Sequence, residues 1–191
     1  GDQGKVYLSA SQAGADASVV RRRLDEVMRR EGLSTDEAAL PPAGALGFRV
    51  QPYGFKTWDQ LFTDRQLLTL LTFVRQVRKA HEEMVQGGTD PDFARAVATY
   101  LALIVDKVAE RNSSVTHWDA SGEFIQVDIG SGRMRMTWDF PEVNPFGGGS
   151  GSWDQSTRDT LGSLGALVAD GFTECGVRRG SALALPYEDG S

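Results

Sequence analysis

Residues 63–86 read TDRQLLTLLTFVRQVRKAHEEMVQ, and the spacing of their apolar side chains predicts a long helix. Thr63 and Gln66 match the T-x-x-Q pattern, in which two side chains satisfy the free N–H groups at a helix start. Behind this start, apolar residues recur every three or four positions, as they do on one face of a helix. They are Leu67, Leu70, Leu71, Val74 and Val77. We therefore expect the helix to continue to about Gln86.

The next residues, GGTDP at 87–91, predict a turn into a second helix. The two glycines end the first helix, and Asp90 caps the second helix with Pro91 at its first position. The apolar stripe of the second helix is formed by Phe93, Val97, Tyr100, Leu101, Ile104 and Val108. Because the link is short, we expect the two helices to be antiparallel neighbours. This helical hairpin, within residues 58–112, is the predicted core of a mainly α fold with short β segments (α+β).

The region before the hairpin, residues 1–57, predicts a basic helix followed by a loop. The helix runs from about Ser18 to Glu31, and Gly32 is its stop signal. Its apolar face is formed by Val20, Leu24, Val27 and Met28, and its arginines are Arg21, Arg22, Arg23, Arg29 and Arg30. The arginines fit either a solvated surface or a patch that faces phosphates. The stretch GFRVQPYGFKTW, at 47–58, reads as extended chain.

The region after the hairpin, residues 113–191, changes to loops and short extended segments. A last helix is predicted after the run GGGSG at 147–151. Ser152 and Gln155 form a possible capping box for it, and its predicted buried side is formed by Leu161, Leu164 and Val168. We expect the three regions to make one compact fragment.

The composition narrows the class of protein. A chain of 191 residues, with 40% hydrophobic and 24% charged residues, suits a single globular domain. Its apolar runs are too short for a membrane span, and its first residues carry no secretion signal. A single Cys175 gives neither an internal disulfide nor a zinc-ligand set, which is typical of the reducing cytoplasm. The net charge of -6 disfavours a protein that coats DNA non-specifically.

Familiar catalytic motifs are missing from the chain. The stretch NPFGGGSGSWDQS, at 144–156, lacks the Lys of a phosphate-binding P-loop, and Pro141 argues against the strand that precedes a dinucleotide loop. Its glycines either bind an anion at a helix N-terminus or form a flexible connection. No H-E-x-x-H spacing supports a metal site, and Cys175 has no supporting catalytic motif. Because both ends look interrupted, we also expect the chain to be an excised piece of a longer protein.

Four segments, taken in order, resemble one family. They read GFRVQPYGFKTWDQLFTDRQLLTLLTF at 47–73, RNSSVTHWD at 111–119, MTWDFPEVNPF at 136–146 and GSALALPYEDGS at 180–191. They are similar to the middle of the large adenine-specific DNA methylases that contain a zinc ribbon and a DUF1156 domain. The resemblance covers most of the chain from about Gly47. Its most specific piece is W-D-x-x-E-x-N-P-F at 138–146.

The resemblance implies an S-adenosylmethionine-dependent enzyme with a Rossmann-like fold that methylates adenine N6 in DNA. In that family the cofactor loop lies upstream of this region, and a catalytic Asp-Pro-Pro-Tyr motif lies downstream. Neither is in this sequence, and nor are the zinc-ribbon cysteines. We therefore expect no catalytic residue here and no activity from the fragment alone. Its implied role is an insert that aids DNA recognition or shapes the base pocket, in a restriction-modification or phage-defence system.

The resemblance also implies candidate residues for a base-binding pocket. An enzyme that modifies a base in duplex DNA must flip the base out and hold it by stacking and hydrogen bonds. The candidate base-pocket residues are Trp138, Asp139, Glu142, Asn144, Pro145 and Phe146. The competing interpretation makes Trp138 and Phe146 core aromatic residues and makes Asn144-Pro145 the start of a turn.

Two further sets of residues are candidates for contacts with DNA phosphates and with the cofactor. The candidate DNA-phosphate contacts are Arg21, Arg22, Arg29, Arg133 and Arg135. Ser181 and Ala182 stand at the cofactor-proximal position, but the usual acidic residue is absent there, so a structural turn is the alternative. The alternative function for the whole chain is a non-catalytic helical module that docks another subunit of a modification or defence system.

Overall fold

Two antiparallel helices form the longest described elements of this computed structural model. The structure describes residues 16–34, 38–127 and 134–169, together with residues 9 and 14. In these residues the fold is mainly helical with one short antiparallel sheet, which confirms the α+β class. The helices are α1 Ala17–Arg30, α2 Asp64–Gln86, α3 Pro91–Arg111 and α4 Trp153–Ala169, and the strands are β1 His117–Asp119 and β2 Phe124–Gln126.

The predicted signals at the helix starts are confirmed. The Thr63 hydroxyl accepts a hydrogen bond from the Gln66 N–H at 3.2 Å, and the Gln66 carbonyl oxygen accepts one from the Thr63 N–H at 2.8 Å. The Asp90 carboxylate accepts from the N–H groups of Asp92 and Phe93. These side chains satisfy N–H groups that would otherwise lack a partner, so the starts of both helices are defined locally.

The predicted apolar stripe of α3 is partly wrong. Ile104 and Val108 are buried as expected, together with Ala94 and Val105. Phe93, however, is 62% exposed, and Tyr100 is also exposed. These two side chains share a neighbouring face with Leu103, which is exposed as well, so the stripe that packs against α2 is narrower than predicted.

Helix α1 packs against α2. Leu24, at the centre of the predicted apolar face, is 1% exposed. The pair Arg21–Asp64, at 3.2 Å, joins the start of α1 to the start of α2. At the other end, Glu31 lies 3.7 Å from Arg75 and 3.6 Å from Arg78. The basic helix is thus partly held by ion pairs to its neighbour.

The segment between α1 and α2 is wound rather than extended. Short 3-10 helices span Ala45–Gly47, Gln51–Tyr53 and Trp58–Leu61, which corrects the extended interpretation of residues 47–58. Positive φ angles at Gly47 and Gly54 allow the chain to reverse direction between these turns. The segment contributes to a small core cluster formed by Leu40, Phe48, Val50, Leu61, Val115 and Met134.

The chain comprises two compact units, residues 1–160 and residues 161–191, with the division inside α4. The three predicted regions, 1–57, 58–112 and 113–191, stay a prediction about organisation. Leu161 and Val168 are exposed, so their predicted burial is wrong. Before the division, small polar residues four positions apart are buried: Ser152, which precedes α4, and Ser156 and Thr160 within it. In the described parts of the chain, no helix is both long enough and apolar enough to cross a membrane.

Candidate functional site

The NPF segment forms a tight turn. The Asn144 side-chain oxygen accepts a hydrogen bond from the Phe146 N–H at 3.0 Å, and the Asn144 main-chain oxygen accepts one from the Gly147 N–H at 3.0 Å. The Pro145 carbonyl accepts from the N–H of Trp153, the first residue of α4, at 2.9 Å. An Asn side chain that bonds two residues ahead is a common way to start a turn. The turn interpretation of Asn144-Pro145 is therefore confirmed.

The glycine-rich loop is attached to the C-terminal end of α3. The buried Asn112 side chain accepts a hydrogen bond from the Val143 N–H at 3.3 Å, and the Arg111 guanidinium donates to the Ser150 hydroxyl at 3.2 Å. Gly151 has a φ of 85°, and a Cβ there would lie 3.0 Å from the Arg111 Cβ. A side chain at Gly151 would therefore force the loop away from α3. These contacts favour a fixed loop over a flexible connection.

The start of α4 offers little support for an anion site. The Ser152 hydroxyl accepts a hydrogen bond from the Gln155 N–H at 3.2 Å, so Ser152 is the N-cap. One of the N–H groups that an anion would use is therefore already satisfied.

Three of the residues predicted to form one base pocket, Trp138, Asp139 and Asn144, lie in two different cavities. The Trp138 cavity, of about 450 Å³, is lined by His117, Arg135, Met136, Thr137, Trp138 and Asp139. The Trp118 cavity, of about 270 Å³, lies between the β-hairpin and the glycine-rich loop. The hairpin lines it with Trp118, Phe124 and Ile125, and the loop with Val143, Asn144 and Ser150. Asn144 and Trp138 thus belong to different cavities.

Both strands of the β-hairpin line the Trp118 cavity, and β1 also lines the Trp138 cavity. His117 lies opposite Gln126 in the sheet register, and their side chains are within hydrogen-bond distance at 2.9 Å. Trp118 lies opposite Ile125. Neighbouring side chains in a strand point to opposite faces, which fits His117 and Trp118 lining different cavities. In β2 the neighbours Phe124 and Ile125 both line the Trp118 cavity, so alternation alone does not divide the hairpin between the two cavities.

The predicted aromatic residues of the base pocket are on the surface. The Trp138 side chain is 79% exposed, with its ring centroid 5.5 Å from that of Tyr53 in an edge-on arrangement. Phe146 is 82% exposed and lies 5.8 Å from Phe73, which stacks on Trp153 at 4.6 Å. The interpretation of Trp138 and Phe146 as core residues is therefore wrong. Phe146 lines neither of the two cavities.

Glu142 forms an ion pair with Arg65 and lines neither cavity. Its carboxylate accepts a hydrogen bond from Arg65 Nε at 2.8 Å and a second one from Arg65 Nη2. The hydrogen bonds that Arg65 donates to Glu142 raise the pKa of the Arg65 guanidinium above its ordinary value. The structure brings Glu142 to the start of α2 rather than to the other predicted pocket residues.

The candidate phosphate contacts fall into distinct environments. Arg21 is paired with Asp25 at 3.1 Å and with Asp64 at 3.2 Å. Arg29 donates to the Asp25 carbonyl at 3.2 Å, while Arg22 is exposed. Arg135 is exposed and lines the Trp138 cavity. The predictions for Arg133, Ser181 and Ala182 lie outside the described residues.

The turn of the β-hairpin carries a hydrogen-bonded carboxylate. Asp119 accepts from the Ser121 hydroxyl at 2.5 Å and from the N–H groups of Ser121 and Gly122. These bonds, the one from the Ser121 hydroxyl above all, lower the pKa of Asp119. Glu123, which follows and lines the Trp118 cavity, has a φ of 54°, which is uncommon for a residue other than glycine.

Sequence reasoning missed the aromatic residues of the second cavity. Trp118 and Phe124 are 52% and 41% exposed although they belong to strands. The segment THWD, at 116–119, indicates the position of Trp118. In a strand the side chain of a residue points away from those of its two neighbours, and both neighbours of Trp118 are polar. Phe124 had no comparable signal, since the position of its ring depends on the hairpin turn.

Comparison of the chain with protein-family profiles, with curated proteins and with solved structures finds no match. Within the described ranges, no three His, Cys, Asp or Glu residues lie close enough together to hold a metal ion.

Proposed function

We propose that this chain is a piece of an S-adenosylmethionine-dependent DNA adenine-N6 methyltransferase of Rossmann-like fold, and that it contributes to DNA recognition. The order of four motif segments, which resemble the zinc-ribbon and DUF1156 methylases, supports the class of enzyme. The proposal includes a cytoplasmic location, DNA as the partner of the whole protein, and a modification or defence system as its setting.

The observation that carries the proposal is the lining of the Trp138 cavity. Trp138 and Asp139 are predicted base-pocket residues, Arg135 is a predicted phosphate contact, and all three line this one cavity. An exposed indole provides a surface on which a base can stack, an interaction of about 1–3 kcal/mol per base. A carboxylate accepts hydrogen bonds from an exocyclic amine, and a guanidinium binds phosphate. The three groups together suit an unstacked nucleotide.

The described residues do not fit S-adenosylmethionine. The glycine-rich loop before α4 follows irregular chain rather than a parallel strand, and Gly151 packs against Arg111. A Rossmann-type cofactor loop needs a strand before it and open backbone for the ligand. We therefore assign the cofactor to other parts of the whole protein and derive no chemical step for it here.

The decisive experiment measures transfer of labelled methyl groups to unmethylated DNA. It compares the protein encoded by the full reading frame with its Trp138→Ala variant and with this fragment alone. We expect the variant to lose at least about tenfold in kcat/KM for DNA, since stacking is removed, and the fragment to be inactive. The matched control is Phe93→Ala, which removes another exposed aromatic ring outside both cavities. Undiminished transfer by Trp138→Ala, or no transfer by the full-length protein, would contradict the proposal.

A second candidate function is supported by the exposed face of α3. Phe93, Tyr100 and Leu103 leave apolar surface in water, which is a common property of interaction sites. A non-catalytic module of a modification or defence system would use this face to dock another subunit. Co-purification of such a subunit, lost in Leu103→Glu and accompanied by no methyl transfer in the full-length protein, would favour this function instead.

A further inference from the structure

We propose that the Trp118 cavity is a second nucleobase-binding site, separate from the Trp138 cavity. Its ligand is an unstacked base that is not the one methylated, carried either by a free nucleotide or by a DNA strand. The strand source rests on the proposed function, whereas binding of a free nucleotide does not.

The hairpin supplies the stacking surface of the site. Trp118 and Phe124 both line the cavity, and both keep a large part of their surface open to solvent. The position of the Phe124 ring is limited by the turn beneath it, because a Cβ on Gly122 would lie 2.4 Å from a ring carbon. Aromatic faces held apart from the core favour planar, π-rich ligands such as nucleobases.

Asn144 supplies the polar group that a base edge requires. Its side-chain oxygen is already used by the Phe146 N–H, at 3.0 Å. The same bond defines the orientation of the amide, so its NH₂ group is the part that remains to donate. An amide donor beside a stacking surface suits the ring nitrogens and carbonyl oxygens of bases.

A positive charge stands at the glycine-rich side of the cavity. Arg111 donates to the Ser150 hydroxyl at 3.2 Å and to the Ile125 carbonyl at 3.4 Å, and both of these residues line the cavity. A guanidinium in this position attracts the phosphate of a nucleotide whose base lies between the hairpin and the loop. These features suit a ligand with an aromatic ring, a hydrogen-bond acceptor and an anionic group. A nucleotide has all three, whereas a sugar or an apolar peptide does not.

The loop side of the site is formed in advance. The turn at Asn144, the bond from Val143 to Asn112 and the contact of Gly151 with Arg111 hold the loop before any ligand arrives. A preformed wall reduces the ordering that binding requires, which favours measurable affinity for a small ligand.

The test is a titration of the 191-residue chain with 2′-deoxyadenosine 5′-monophosphate, followed through the indole N–H resonances of its four tryptophans. Single Trp→Phe variants assign the resonances. We expect the Trp118 resonance to shift and saturate, while that of Trp58 stays in place. A matched titration with 2-deoxyribose 5-phosphate, which lacks the base, should shift none of them. A Trp118 shift of equal size with both ligands would overturn the proposal, as would a shift of Trp138 alone.

Four variants, one of them a control, test which side chains bind the base. Asn144→Asp keeps the acceptor for Phe146 but removes the amide donor and adds a negative charge, so binding should weaken about tenfold. Trp118→Ala should weaken it at least about tenfold, and Trp118→Phe should retain most of it because an aromatic face remains. Phe93→Ala should leave the dissociation constant unchanged. Equal affinity in Asn144→Asp and the unaltered chain would overturn the assignment.

A short single-stranded oligodeoxyadenylate distinguishes the two sources of the base. Binding at least as tight as that of the mononucleotide, with the same Trp118 shift, identifies a base within a strand. Binding of the mononucleotide alone identifies a free nucleotide. Mononucleotide binding without methyl transfer by the full-length protein would remove the proposed function and leave this site standing.

Discussion

The Arg65 guanidinium forms a two-point ion pair with the Glu142 carboxylate, 77 residues further along the chain. The pair connects the first turn of α2 with the segment that leads into the Asn144 turn. About half of the Arg65 side chain is exposed, so solvent weakens the attraction, whereas the paired geometry strengthens it. We read Glu142 as a residue that positions the segment.

We predict that Glu142→Ala and Arg65→Ala each lower the free energy of unfolding by about 1 kcal/mol. Because both substitutions remove one interaction, the double variant should lose little more than either single variant. Urea denaturation of the four proteins measures the coupling directly. Losses that simply add would show that the pair contributes nothing.

A second prediction concerns Gly151, which has a φ of 85° and packs against Arg111. Gly151→Ala should lower the free energy of unfolding by about 1–3 kcal/mol, because the backbone is strained and the new Cβ meets the Arg111 side chain. Gly148→Ala is the matched control, since a Cβ there has nothing within 4 Å. Its expected effect is within about 0.5 kcal/mol. Equal effects of the two substitutions would argue against the fixed loop.

A third prediction concerns Asp119 and pH. Hydrogen bonds from Ser121 and Gly122 lower the pKa of Asp119 in the folded state, so its contribution to stability is present above the unfolded pKa of about 3.9. That contribution is lost as the pH falls through the lower folded pKa. Asp119→Asn should therefore destabilise the protein at pH 7 and flatten the acid side of its stability profile. Thermal unfolding across the pH range checks this, and an unchanged acid profile would rule it out.

A fourth prediction separates two arginines of the full-length protein by the salt dependence of DNA binding. Arg135→Ala should reduce the slope of log K against log salt concentration by about one unit, because one phosphate contact is lost. Arg21 lies on α1 and lines neither cavity, so Arg21→Ala should change the slope little. Fluorescence anisotropy over a range of salt concentrations gives both slopes. A larger effect from Arg21 would place the DNA on α1 instead.

The helical hairpin could be predicted from sequence because its ends are defined locally. Thr63 with Gln66, and Asp90 with Pro91, act within one turn of each helix start. The face that each helix buries could not be predicted in the same way. Phe93 and Tyr100 fit helical spacing, yet whether they are covered depends on the width of the contact with α2, which no local pattern contains.

The candidate site was predictable only in part, for a related reason. The turn at Asn144 follows from its own side chain, and the sequence offered that interpretation. The ion pair of Glu142 with Arg65 and the separation of Asn144 from Trp138 both depend on residues distant in sequence. Proximity along the chain suggested one pocket, whereas the tertiary contacts produce two.

The strands of the β-hairpin are three residues long, and this has a consequence for sequence change. Insertion of one residue before His117 would exchange the faces of every side chain in β1, bringing an imidazole to the place of an indole. Substitutions here would alter one cavity at a time, whereas a change in chain length would alter both together. Relatives of this chain should therefore tolerate varied side chains in the hairpin much better than insertions or deletions.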